Sequence, residues 1–200
     1  MTAPYVVGRS DSISWAIAAS LKTVVHDVDE PGRPGSGDVV IVIGIDPLVE
    51  PTHVSALSPA EWRRFAEQPM RQALDVLQRS YRSMRQDGGR IVLVLPSIGM
   101  TGGPHLVACA TALEGIRAMA KSAARQWARE NVIVNTITAP LHLFAPKLSG
   151  SAAHVTAAAL QDDDKLIESI VETTRFLLKR GVSGLVGETV IVDGGALMLP

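Results

Sequence analysis

The 200-residue chain contains one cysteine, Cys109. A single thiol excludes an internal disulfide framework, and the histidines and acids show no zinc-ligand spacing. A reducing, cytoplasmic setting is therefore expected. Aromatic residues make up only 4%, and neither sign of charge dominates, with 19 Lys and Arg against 20 Asp and Glu. The net charge of −1 leaves no basic field for nucleic acid, and no long run of like charge occurs. No apolar stretch reaches the roughly eighteen residues of a membrane span. Residues 1–10 lack a basic region followed by an apolar run, so no signal peptide is expected.

What is present is mostly aliphatic. Hydrophobic residues make up 46%, and the mean hydropathy is +0.21. This composition excludes disorder and suffices to bury a core without disulfide or metal support. One domain spanning residues 1–200 is expected.

Unbroken apolar runs alternate with helical patterns along the chain. Tyr5-Val6-Val7 reads as a strand that stops at Gly8. Ile13, Ala16, Ile17 and Ser20 lie at helical spacing behind the cap types Ser10, Asp11 and Ser12, predicting a helix over 12–21. Residues 23–28 read as a second strand, and 29–37 as a loop rich in proline and glycine. The run over 38–45 lacks alternation, which implies a strand buried on both faces. Ser58-Pro59-Ala60-Glu61 is a helix start. It opens a helical region over 59–86, with a kink or break expected at Pro69. Strands over 90–95, 132–137 and 189–192 and helices over 104–129 and 163–179 complete the pattern. The order predicts an α/β fold: a Rossmann-like, doubly wound parallel sheet with helices on both faces.

Three segments then carry a resemblance. They are Gly89-Arg90-Ile91-Val92, Val132-Ile133-Val134-Asn135-Thr136-Ile137, and Thr189-Val190-Ile191-Val192-Asp193-Gly194-Gly195. In this order and spacing they resemble the short-chain dehydrogenase/reductase (SDR) family, in particular its β-ketoacyl-ACP-reductase-like members. Such members usually run to about 250 residues, so roughly fifty are absent here. The shortfall falls between Leu21 and Asp38, a truncation of the β2–α3 region, with a further part expected after Ala139, where the family carries a substrate-covering loop.

The resemblance implies hydride transfer with NAD(P). It also implies a Tyr as general acid/base, a Lys that lowers its pKa, a Ser on the substrate carbonyl and an Asn supporting a water relay. In this sequence the Ser position falls on Pro96, the Tyr position on Cys109, the Lys position on Leu113 and the Asn position near Pro69. Cysteine ionises closer to neutrality than tyrosine, but its sulfur lies several ångströms short of a phenol oxygen. No Lys or Arg stands one turn on to stabilise a thiolate. The family's glycine loop reads here as residues 8–14. Only Gly8 survives, with Ser12 and Ser14 at the other two glycine positions. Asp11 adds a negative charge where a phosphate would meet the helix N-terminus, and Arg9 offsets part of it.

Ser97, His105 and His142 are possible replacement groups, and neither histidine has a partner visible in the sequence. Asp162-Asp163-Asp164 fits a helix cap better than a metal site. The small residues Ala108, Ala112, Gly115 and Ala118 allow close approach of another helix. In the family the two long helices and the final helix and strand form subunit interfaces. The leading expectation is therefore a non-catalytic subunit with no cofactor of its own. It would pair with a homologous, active, NAD(P)-binding subunit in a hetero-oligomer, expected to be a tetramer, with acyl thioesters as the substrate class that the resemblance implies. The alternatives are an oxidoreductase with relocated groups at Ser97, Cys109 or His142, and a ligand-binding module in the vacated cofactor cleft.

Overall fold

The computed structural model describes residues 3–29, 32, 34, 35, 37–152 and 157–197. Six strands form one sheet: β1 (Tyr5–Gly8), β2 (Val25–Asp27), β3 (Val39–Val42), β4 (Gly89–Pro96), β5 (Val132–Ala139) and β6 (Thr189–Ile191). Their order is β2-β1-β3-β4-β5-β6, and every pair is parallel. The helices are α1 (Ser12–Ser20), α2 (Pro59–Trp62), α3 (Gln68–Met84), α4 (Ile98–Thr101), α5 (Val107–Trp127) and α6 (Asp163–Leu177).

The unbroken apolar runs are explained by two cores, because successive strand side chains point to opposite faces. Val39, Ile41, Ile91, Leu93 and Leu95 face a core shared with α3 and α5. Val40, Val42, Val92 and Val94 face the other, shared with α1 and α6. Burial of both faces explains why β3, β4 and β5 tolerate no alternation.

The strand order reverses between β1 and β3, which places the fold's ligand crevice at the carboxyl ends of those two strands. The β2-to-β3 crossover, residues 28–38, is at the short limit for a parallel connection, and no helix occurs among its described residues. Its described residues are fastened to the α3 side: Gln72 donates to Asp29 at 2.5 Å and Arg79 to the Gly32 carbonyl at 3.2 Å. Where the β2–α3 region is expected to be shortened, the described residues Asp29 and Gly32 are thus tied down by polar contacts.

Several expected boundaries shift. The strand at 23–28 is only Val25–Asp27, and the strand at 38–45 is only Val39–Val42. The helical region at 59–86 is three pieces, with a π-helical turn, Arg63–Glu67, between α2 and α3. Pro69 has no N–H, and its ring would clash with the carbonyl four residues back. The wider turn before it, in which Gln68 N–H donates to the Arg63 carbonyl, removes that conflict. The break thus precedes Pro69. The helix expected from residue 104 begins at Val107, because His105 takes a left-handed φ of 65° that a helix cannot continue.

Two retained motif residues have structural duties. Asn135, buried in β5, donates to the Leu185 carbonyl at 2.8 Å and accepts from Glu188 N–H at 2.9 Å, fixing the turn that delivers β6. The Asp193 carboxylate accepts from the N–H groups of Gly195, Ala196 and Leu197 and closes the turn after β6.

Candidate functional site

In this architecture a dinucleotide phosphate would approach the turn from β1 into α1. Asp11 caps α1, and its carboxylate accepts from Ser14 N–H at 2.7 Å. Burial raises the Asp11 pKa, outweighing the lowering by the Ser14 amide and by Arg9. Ser14 is fully buried, and a Cβ on Gly8 would lie 2.9 Å from its hydroxyl oxygen and 2.9 Å from Val42 Cβ. The Ser14 side chain therefore occupies the space that Gly8 leaves open. A Cβ on Gly44, past β3, would lie 2.9 Å from Arg9 Cδ, so the Arg9 stem covers that glycine. Asp46 joins this cluster. Burial raises its pKa, but the Arg64 hydrogen bond, the Leu48 amide and the charges of Arg64 and Arg9 outweigh that and hold it below the ordinary carboxylate range. The Arg64–Asp46 contact is 2.9 Å. The mouth of the crevice is thus occupied by the chain's own charges, and the helix N-terminus has a carboxylate of its own.

The expected catalytic positions are placed as follows. Pro96 is the last residue of β4 and is buried. Cys109 is 5% exposed and Leu113 2% exposed, both packed in the core between the sheet and α5. Burial, and then the Asp46 carboxylate, push the Cys109 thiol up to about 11. Leu113 also receives the turn after β4, since a Cβ on Gly99 would lie 2.8 Å from Leu113 Cβ. Pro69 opens α3, away from the other three in the chain. Pro69, Pro96 and Leu113 have no side-chain proton to exchange, and at neutral pH Cys109 stays a buried thiol.

A cavity of about 360 Å³ opens at the carboxyl ends of β4, β5 and β6, and Ser97 and His142 both line it. Ser97 N–H donates to the Ala139 carbonyl at 2.7 Å, tying the two strand ends together. Pro140 then starts the turn Leu141–Leu143 that presents His142. His142 Nε2 lies 2.9 Å from Asp163 Oδ1 in the first turn of α6. This pair is 21 residues apart in sequence, and local pattern carries no signal for it. Asp162 is the N-cap, accepting from Lys165 N–H at 3.1 Å, so two of the three acids have separate duties, Asp162 as cap and Asp163 as histidine partner. Cys109 does not line this cavity, so the three relocated groups do not form one constellation: Ser97 and His142 meet there and Cys109 lies in the core. His105 stands elsewhere, its ring 5.8 Å from that of His53. Among the described residues no group of three or more His, Cys, Asp or Glu could hold a metal ion. No helix among them is long and apolar enough to cross a membrane.

A second, shallower hollow of about 640 Å³ runs between α3 and α5 on the face away from the sheet, lined by Leu74, Tyr81, Gly115, Ala118 and Met119 among others. Leu74 is 43% exposed there. Tyr81 stacks on Trp127 with ring centroids 4.6 Å apart.

Comparison with known proteins agrees with the geometry. The family model described as enoyl-(acyl carrier protein) reductase matches residues 16–196, beginning just past the 8–14 loop. The chain is similar to a cis-4-hydroxycyclohexanecarboxylate dehydrogenase of Sinomonas cyclohexanicum, 32% identical over 167 residues, covering 80% of this chain and 66% of that protein. It is also similar to an uncharacterized short-chain type dehydrogenase/reductase of Sinorhizobium fredii, 30% identical over 104 residues, covering 49% of this chain and 40% of the relative. The chain thus spans two thirds or less of these relatives' lengths. Among solved structures, a short-chain type dehydrogenase/reductase from Mycobacterium ulcerans superposes with a TM-score of 0.77 at 19% identity, covering 96% of this chain and 88% of that one. Acetoin dehydrogenase YohF from Salmonella typhimurium superposes at 0.70 and 15% identity, covering 98% and 97%. The three motif segments, the parallel sheet with its switch between β1 and β3, and the match over residues 16–196 agree: this chain belongs to the short-chain dehydrogenase/reductase family.

Proposed function

We propose that this chain is a non-catalytic SDR subunit that pairs with an active, homologous, NAD(P)-binding subunit in a cytoplasmic hetero-oligomer. One observation carries the reading. The three positions where the family holds its Ser, Tyr and Lys are Pro96, Cys109 and Leu113, all built into the core. A phenol or ammonium cannot replace Cys109 or Leu113 without repacking α5 against the sheet. The cofactor turn supports the same reading. Asp11 and Ser14 take up the amide and the space that a pyrophosphate would need, and Arg9 covers Gly44. These residues do not fit a dinucleotide, so the partner supplies it.

The α3–α5 hollow is the surface for that partner. Gly115 and Ala118 keep it shallow enough for a second pair of helices, and a homologous partner would make a pseudo-isologous contact. The tetramer is the assembly that a second interface through α6 and β6 would give. For the substrate, the matched family description names acyl-carrier-protein chemistry, and the curated relative acts on a hydroxylated ring acid. An acyl thioester or related carboxylic substrate for the complex follows by likeness.

The test is expression of the chain alone and together with SDR paralogues from the same genome, with mass by light scattering and NAD(P) binding by calorimetry. The expected result is a defined mixed oligomer whose nucleotide sites number only the partner's subunits. A stable homo-oligomer that binds NAD(P) by itself would overturn the proposal. That outcome would favour a second reading, an oxidoreductase that works through Ser97 and His142, which share one cavity.

A further inference from the structure

The hollow between α3 and α5 has a floor and a rim of different character. Leu77, Met119 and Trp127 give it an apolar floor, and Gly115, Ala118 and Ala123 keep that floor low enough to admit a neighbouring helix. The charged groups that line it are Arg82 and Arg85, and no carboxylate lines it among the described residues.

The surrounding acids are already engaged. Asp75 holds Arg79 at 2.8 Å, Glu114 holds Arg117, and Glu130 accepts from the Tyr81 hydroxyl at 2.8 Å. The Arg82 and Arg85 guanidiniums make no ion pair or hydrogen bond among the described residues. The imbalance extends beyond the rim. Together α3 and α5 carry six cations (Arg71, Arg79, Arg82, Arg117, Lys121 and Arg125) against Asp75 and Glu114, in a chain whose net charge is −1. On the other face of the sheet, α6 carries four carboxylates against Lys165 and Arg175.

Symmetry turns this imbalance into a choice of partner. In an isologous contact a patch meets a copy of itself. A second copy of this chain would set Arg82 and Arg85 against the same two residues, four guanidiniums over an apolar floor with no carboxylate lining it. Like charges brought together and desolvated in this way oppose association. A homologous chain with carboxylates at the matching places would satisfy both arginines over the same floor. The floor also separates a protein partner from a polyanion, because apolar surface gains by burial under side chains and gains nothing under a phosphate backbone.

We propose that the α3–α5 hollow rejects a second copy of this chain and selects a homologous subunit whose facing helix pair is acidic. The inference rests on the hollow being the partner's seat, and it adds what the partner presents there: carboxylates opposite Arg82 and Arg85, with apolar side chains between them. The chain's own charge then commits it to mixed assemblies.

The complementary partner for the experiment is made from the chain itself. Arg82→Glu and Arg85→Glu, combined in one full-length variant, give an acidic copy of the same surface. Unmodified and acidic chains are measured alone and mixed, by light scattering and analytical ultracentrifugation at low ionic strength. Mixing should double the mass that either shows alone, with the mixed pair favoured over either self-pair by roughly a hundred-fold or more. Ala118→Arg in either chain should abolish the doubling. Salt at about 1 M, where the screening length is about 3 Å, should weaken the mixed pair. If circular dichroism shows that the acidic variant does not fold, Arg82→Gln with Arg85→Gln takes its place and should pair with itself. A dimer of the unmodified chain that Ala118→Arg dissolves, a mixture that keeps the mass of its components, or a neutral variant that stays unpaired would overturn the proposal. No paralogue enters these measurements, so a failure to find one that pairs would strike the subunit reading alone.

Discussion

Cys109 shows how a single position can carry a family's register and none of its chemistry. It stands where the resemblance places a tyrosine, yet it is 5% exposed and its thiol is pushed up to about 11. The unfolded chain ionises this thiol from about 9, so above that pH the unfolded state binds fewer protons than the folded one. Stability should therefore fall as pH rises from about 9 to about 11. Urea melts across that range should show the slope, and Cys109→Ala should reduce it. Thiol labelling at pH 8 should also be slow in the native protein and fast in urea. Asp11 offers a second test. Its raised pKa means that burial of the carboxylate costs stability once pH passes the folded pKa, while the bond to Ser14 N–H gives part of it back. Asp11→Ala, which loses the cap, should destabilise by about 1 kcal/mol. Asp11→Asn, which keeps an acceptor without the charge, should melt at or above the temperature of the unmodified chain at pH 7.

Among the elements, the helices divide the work. α1 and α6 close one face of the sheet, while α3 and α5 close the other and leave a hollow between them. The π-helical turn at Arg63–Glu67 brings Arg64 onto Asp46 while α3 starts afresh behind Pro69. Gly99 lets the turn after β4 sit against Leu113, where an added Cβ would lie 3.2 Å from the Glu114 backbone nitrogen as well. Gly99→Val should therefore destabilise by about 1–3 kcal/mol, the range for overpacking, as measured by chemical denaturation. Sequence periodicity located these helices because each buries one stripe of side chains. It misjudged their ends, since the π-helical turn and the left-handed His105 are responses to neighbouring carbonyls and turns that a window of sequence does not contain.

On the scale of the whole molecule, one sheet presents three sites of different character: a crevice mouth filled by Arg9, a cavity containing His142, and a hollow between α3 and α5. If the hollow seats the partner, Ala118→Arg should leave the circular dichroism spectrum of the isolated chain unchanged. It should also abolish the mixed oligomer in light scattering, because a long charged side chain cannot be desolvated there.

The sequence by itself determined the layers of this protein. Unbroken Val and Ile runs need a sheet buried on both faces, and the three motif segments at Gly89, Val132 and Thr189 fix its family register. It also assigned Pro96, Cys109 and Leu113 to the positions where the resemblance places the family's catalytic groups, because such an assignment uses order and spacing alone. The tertiary structure alone decided what those residues do. Pairing His142 with Asp163, laying Arg9 over Gly44 and placing Ser97 beside His142 but apart from Cys109 each bring together groups from different strands and helices. Their contact energies depend on separations in space, which local periodicity does not encode.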